Sequence, residues 1–440
     1  MKKPLVIAIS IISTVVVAAS TLSVVLIVSS KGKKNEKVSE EFKPSLDVNT
    51  RCAIKVVGDY SNFEALEAEF DRFNEIYPNV TLSYRKYSNY VENLSTALQS
   101  EDGPNIFFTY AAWMAGNDAY ANIIPHMEDL SDPSLKIDFD ILRPGLINQA
   151  DDKKIYMAPV FSRTYGALVN NDLFQKEGLN LPNNWNELLS VNAAFKEKGY
   201  TSPMKGYSKD NSGCWMNTVA YPLFVAALAN NREMLKKAND LDQSAGEFMR
   251  DALTKVKKLV DDGIIDNTYC KDNMSDNYTK VLLEFLKGQT PMMICTGDTV
   301  SGARKREKES DPFKNNPFNY SFVPIPTTDQ GGYFIDSPSV EFSVNKDCKN
   351  LDMTNEFMRF LFQKEEIKNL SSLKGLINPT KDAAFGAVYS AFQEVPAERT
   401  FSPESLGVKD PLAKQIRLAS FKVINDGMSI DEAIANYGKF

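Results

Sequence analysis

The chain has 440 residues, 43% hydrophobic and 24% charged, with a formal net charge of −7. This is the composition of an ordinary globular protein of two or three domains, long enough to bury its cores without cross-links. The acidic balance, with no long basic run, argues against a nucleic-acid-binding surface, and a single histidine, His126, excludes a multi-histidine metal site. Cys52, Cys214, Cys270, Cys295 and Cys348 form no CxxC pair, which leaves no recognisable zinc or redox motif, and they read as isolated small hydrophobes.

Residues 1–28 contain an uncharged run from Leu5 to Val28. As a helix it spans about 36 Å, enough for a hydrocarbon core of about 30 Å. Two readings stand: an uncleaved membrane anchor, or a signal peptide cut near Ala18, Ala19 and Ser20. No cysteine follows closely enough to carry a lipid, and lysines on both sides leave orientation open. Residues 29–50 are polar and aperiodic, the composition of a flexible tether.

Strand and helix signals then alternate. "CAIKVVG" (Cys52–Gly58) reads as a buried strand. Ser61 and Glu64 have capping-box spacing, and Phe63, Leu66, Phe70, Phe73 and Tyr77 follow on one helical face. "VTLSYRKY" reads as a half-buried strand, a helix runs through Val91, Leu94 and Leu98, and "NIFFTY" (Asn105–Tyr110) is the next strand. Later strands are "YGALVNN", "TPMMICT", "YSFVPIP" and "VEFSVN". Helices are expected over Asn183–Lys198, Cys214–Ala229 and Gly246–Asp262, the last stopped by Gly263. Leu351–Phe440 reads as almost wholly helical, with a second capping box at Ser429 and Glu432. This alternation predicts an α/β fold with mostly parallel sheets. There is no glycine fingerprint for a nucleotide and no internal repeat.

Five landmarks in order carry a resemblance. They are "FDRFNEIYPNV" (Phe70–Val80), "LQSEDGPNIFF" (Leu98–Phe108), "IYMAPVFSRTYGALVNNDLFQKEGLNLPNNWNELL" (Ile155–Leu189), "FLKGQTPMMICTGD" (Phe285–Asp298) and "NEFMRFLFQKEEIKNLSSLKGLINPTKDA" (Asn355–Ala383). "VINDGMSIDEAI" (Val423–Ile434) closes the series. In this order they resemble the carbohydrate-type bacterial extracellular solute-binding proteins, the receptor subunits of ABC importers. Asn105 stands where that family usually has aspartate, and Asp298 with Thr299 where it often has an aromatic. The second departure points to a smaller or more polar ligand than a long stacked oligosaccharide.

The resemblance implies a two-lobed periplasmic-binding-protein-like fold with a hinge and an interlobe cleft. The N-lobe would take 51–158 and 295–345, and the C-lobe 159–294 and 346–440. It also implies a monomer without cofactor or metal that captures a solute, most simply a sugar, at the extracellular face of the membrane and delivers it to permease subunits. In open α/β sheets ligands lie at the carboxyl ends of strands, and sugars call for aromatic faces beside polar side chains. The candidate contacts are therefore Asp59, Tyr60, Thr109, Tyr110, Trp113, Phe161, Trp215, Thr296, Asp298 and Tyr333. Arg163 reads as an interlobe ion pair and Tyr165 as core. The rival readings are a surface glycoside hydrolase working with two carboxylates, or an adhesive or sensory carbohydrate-binding domain.

Overall fold

The computed structural model describes residues 42–110, 120–208, 215–274 and 278–440. The expected anchor, tether residues 29–41 and Trp113 lie outside the described residues, whereas residues 42–50, also expected in the tether, pack on the first lobe: Ser45 donates to the buried Glu356 and the Phe42 ring meets Phe360. No described helix is long and apolar enough to cross a membrane.

The strands in chain order are β1 Cys52–Gly58, β2 Val80–Lys86, β3 Ile106–Thr109, β4 Ala158–Pro159, β5 Ser162–Arg163 and β6 Tyr165–Asn170. They continue as β7 Met204–Gly206, β8 Met292–Thr296, β9 Tyr320–Val323, β10 Phe334–Ile335, β11 Ser337–Pro338, β12 Glu341–Val344 and β13 Thr400–Phe401. One sheet has the order β2-β1-β3-β12-β4, with β2, β1 and β3 parallel and β12 antiparallel to both neighbours. A second has the order β7-β8-β6-β9. Here only β7 and β8 run parallel, so the expectation of mostly parallel sheets fails. β6 leads away from the first sheet, whereas β8 and β9 run back toward it: Thr296 ends β8 opposite Tyr165, the first residue of β6.

Each sheet has its own core. Ile54, Val56, Phe63, Leu66, Phe107, Phe108 and Phe342 belong to the first; Leu168, Phe195, Trp215, Phe224, Ile294 and Phe322 to the second. Core residues up to Phe161 belong to the first group and those from Ala167 to the second; Ile335 is second and Val340 first; Leu376 is first and Ile377 second. The chain therefore crosses between lobes three times, first close to the expected boundary near 159 and then twice later in the chain than expected. Residues 295–335 stay with the second lobe because β8 and β9 complete its sheet. Residues 346–376 belong to the first, because the Leu351–Leu361 and Lys364–Lys374 helices pack on the Glu64–Ile76 helix. Phe357 lies 5.5 Å from Phe70 and 5.2 Å from Phe73, ring centre to ring centre.

The Ser429–Glu432 capping box forms as expected. The one at Ser61 does not. The helix starts at Glu64, one residue after Phe63, whose buried ring contacts Phe108, Phe161 and Phe342. That start places Glu64 at the first helical position instead of the third, out of reach for a reciprocal cap. Trp185–Glu197 is capped by Asn184, and Gly263 takes the left-handed conformation (φ +62°) that ends the Arg250–Asp261 helix. Residues 375–402 are mostly irregular, against the expectation of helix throughout. Cys52, Cys270, Cys295 and Cys348 are free thiols.

Candidate ligand-binding site

The polar side chains of interest gather where β1 and β3 end and where the crossings meet the second lobe. β1 ends at Gly58, where a Cβ would lie 2.5 Å from the Phe108 ring, so only glycine allows this close approach. Asp59 and Tyr60 follow. The Tyr110 hydroxyl donates to Asp59 Oδ1 at 2.8 Å. The Tyr60 ring stands edge-on to Phe63 and Phe108, both at 5.3 Å. The Lys374 ammonium lies 3.9 Å from the centre of the Tyr60 ring.

From the other side comes Asp298, in the first turn of the Gly297–Ser301 helix. Arg163 Nη1 donates to its Oδ2 at 3.2 Å, and Ser339 Oγ to its Oδ1 at 2.6 Å. Ser337 Oγ donates to Glu404 Oε1 at 2.5 Å. Arg163 Nε, Glu404 Oε2 and Thr164 Oγ1 are buried and make no hydrogen bond among the described residues. The Tyr165 and Tyr221 rings lie 5.1 Å apart.

These groups feel each other through a poorly solvated space. Burial raises the Asp59 carboxyl, with the Tyr110 bond opposing it. Burial, then Asp298, holds the Tyr60 phenol well above its ordinary value. Burial lowers the Lys374 ammonium against the pull of Asp298, Glu64 and Asp59. Burial also raises Glu404 and works against the Arg163 charge; there Asp298, Tyr165 and Glu404 outweigh it.

A cavity of about 760 Å³ opens beside this cluster, within the size range of ligand pockets. Its walls come from both lobes: Ser301, Arg304 and Tyr389 on one side, Lys368 and Ser371 on the other. None of the sequence-predicted contacts lines it. The Gly297–Ser301 helix separates the two regions, with Asp298 at the polar cluster and Val300 and Ser301 at the cavity.

Four of the candidate contacts, Asp59, Tyr60, Tyr110 and Asp298, lie close together, and Arg163 pairs with Asp298. Thr296 is half-buried opposite Tyr165. Tyr333 lies in the second lobe, 5.8 Å from the Phe401 ring and beside a narrow crevice shared with Tyr165 and Thr218. Three expected contacts are instead core residues. Thr109 is fully buried and spends its hydroxyl on Glu341 and Ser343. Phe161 is fully buried against Phe63. Trp215 is fully buried in the second core, with Nε1 donating to Asn267 at 3.0 Å. Sequence reasoning missed Lys374, Ser339 and Glu404. Lys374 precedes Gly375, a helix-stop signal beside the third crossing, which could have pointed to it. Nothing in the sequence around Glu404 singles it out.

The fold is thus two-lobed, with a cluster of polar groups at strand ends and at the crossings between lobes. The family profile of the bacterial extracellular solute-binding proteins matches residues 58–368, and the chain belongs to that family. Its members are binding proteins, not enzymes. Among curated relatives, a Brucella abortus protein carrying a provisional binding-protein name is 23% identical over 331 residues, 73% of each chain. Among solved structures, the sugar-binding protein MalE of Xanthomonas citri superposes with a TM-score of 0.67 at 17% identity, over 88% of this chain and 95% of MalE. Apo RafE of Streptococcus pneumoniae gives 0.65 at 17% identity, over 90% and 99%. RafE in complex with raffinose gives 0.65 at 16%, over 88% and 98%.

Proposed function

We propose that this protein captures a saccharide outside the cell and hands it, chemically unaltered, to the permease of an ABC importer. The observation that carries the reading is the Tyr60 ring at the end of β1, flanked by Asp59 with Tyr110 and by Asp298 with Arg163 and Ser339. An aromatic face beside fixed polar groups suits the C–H face and the hydroxyls of a sugar. MalE and the raffinose complex of RafE share the fold and support the same reading. Ligand contacts would come from Asp59, Tyr60, Tyr110 and Asp298, with Thr296 and Tyr333 on the second lobe. Contacts made by both lobes at once favour a closed state.

We further propose that Leu5–Val28 anchors the protein, as a monomer, at the extracellular face. Residues 29–41 would then raise its effective concentration at the permease. Mass spectrometry of ligand released from natively purified protein tests the main reading. Beside it runs a thermal-shift panel of neutral and acidic saccharides, raffinose included. A ligand at 100 times its Kd adds about 2.7 kcal/mol of stability. Failure of every saccharide to stabilise the protein refutes the reading, as does any turnover of a bound one. Membrane fractionation and the mass of the mature chain decide between anchor and cleaved signal.

A further inference from the structure

Arg143 belongs to the first lobe, next to the core residue Leu142. The hydrogen bonds of its guanidinium go to the chain segments that join the lobes, and the Phe385 ring lies 5.2 Å from it. Nε and Nη2 donate to Asp336 at 2.6 and 2.8 Å; Asp336 lies in the second crossing. Nη1 donates to the carbonyl of Asn378 at 2.6 Å and more weakly to that of Thr380 at 3.3 Å, both just past the third crossing. The first crossing joins through Ser162, whose hydroxyl donates to the same Asp336 carboxylate. The backbone repeats the connection. Arg143 N–H donates to Pro379, Ser162 N–H donates to Ile377, and β5 pairs with β11 so that Arg163 faces Ser337. The Arg143 side chain is 17% exposed and that of Asp336 6%. A pair so placed is not an ordinary, weak surface bridge.

We infer that Arg143 and Asp336 form the knot that ties all three crossings together, and that Arg143 is a positioning residue for the ligand site. The inference rests on the saccharide-site reading only for what is positioned. Arg143 touches none of the proposed ligand contacts. It acts through neighbours: Ser162 precedes Arg163, and Asp336 precedes Ser337, which holds Glu404, and Ser339, which holds Asp298. With the crossings tied, the lobes rotate about one fixed pivot, and the polar groups near it keep their register while the outer surfaces close.

Hydrogen–deuterium exchange on the unliganded full chain tests this. In Arg143→Met, exchange should rise together, by about tenfold or more, in peptides covering 162–166, 334–340 and 376–380, while β1 and β8 stay protected. Asp336→Asn should give the same pattern. Arg143→Lys, which keeps the charge but cannot serve Asp336 and Asn378 at once, should loosen mainly 376–380. Should Arg143→Met fail to fold, the other two variants carry the test. An increase confined to 139–147, or different patterns for Arg143→Met and Asp336→Asn, overturns the inference. No ligand is needed, so a failed saccharide panel refutes the ligand reading and leaves this result standing.

Discussion

Trp215→Ala separates two views of the second lobe. A tryptophan opening a helix beside the cleft looks like a sugar platform, but here it is fully buried. It packs so closely under β7 that a Cβ on Gly206 would lie 2.5 Å from its own Cβ. A buried aromatic removes about 150–250 Å² from water, or about 4–6 kcal/mol at 25 cal/mol per Å². Measured aromatic-to-alanine truncations in cores cost about 3–5 kcal/mol, because the cavity partly collapses. The lost Nε1 bond to Asn267 adds about 1 kcal/mol, and Asn267 keeps its second bond to Asn425. The expected cost is therefore about 4 kcal/mol, felt by the second lobe. Urea unfolding should follow each lobe with its own probe, since a two-lobed chain need not unfold in one step. Trp185, packed against the second core, reports that lobe. Trp215→Phe should cost only about 1–2 kcal/mol. Unliganded Trp215→Ala within about 1 kcal/mol of wild type, together with weakened saccharide binding, would refute the core placement.

Three further outcomes follow from the geometry. Glu69 is fully buried, accepts no hydrogen bond among the described residues, and faces Glu366, which Arg72 already engages with two bonds at 2.6 Å. Burial, then Glu366, pushes its carboxyl up to about 9. Between the ordinary glutamate range and that value the native state binds the extra proton, so stability falls as pH rises; Glu69→Gln should flatten melting temperatures measured from pH 5 to 9, and parallel profiles would contradict this. Tyr60→Ala should weaken a saccharide found in the panel by about tenfold in calorimetry while Tyr60→Phe does not, and Lys374→Met, which clears the ammonium from the ring, should tighten a neutral one; equal affinities across the series would remove Tyr60 from the site. Ser429→Ala should cost about 1 kcal/mol of stability and Ser61→Ala almost nothing, because only the first caps its helix; equal losses would count against that helix start.

Local patterns were legible where one element decides them. The periodicity of β1, the Ser429 cap and the Gly263 stop are written within a few residues, and all appear. Asp59, Tyr60 and Tyr110 followed from the rule that ligands meet strand ends. What failed depended on distant partners. Whether the aromatic face of Phe357 and Phe360 packs in the first or the second lobe depends on Phe70 and Phe73, almost three hundred residues earlier in the chain, and helical periodicity is the same either way. Thr109, Phe161 and Trp215 carry the side chains a sugar site needs, but those chains serve a core equally well. Only the neighbours that take up their hydroxyl, ring edge or indole N–H decide between the two.

The placement of charge at the crossings bears on how closure would work. A ligand shifts the lobes only through contacts that differ between open and closed states. Asp298 already receives bonds from Arg163 and Ser339, which belong to crossing segments that move little about a pivot. Its hydrogen-bonding capacity is thus largely committed before a ligand arrives, and replacing those bonds brings little net gain. The differential contacts must come from groups whose present bonds a ligand could exchange or complete: the Tyr60 face, which Lys374 now covers, and Glu404 Oε2 and Arg163 Nε, buried without hydrogen-bond partners among the described residues. On the proposed reading, Glu404→Gln should therefore weaken ligand-induced compaction in small-angle scattering more than Ser339→Ala does, and the reverse order would show that Asp298 drives closure.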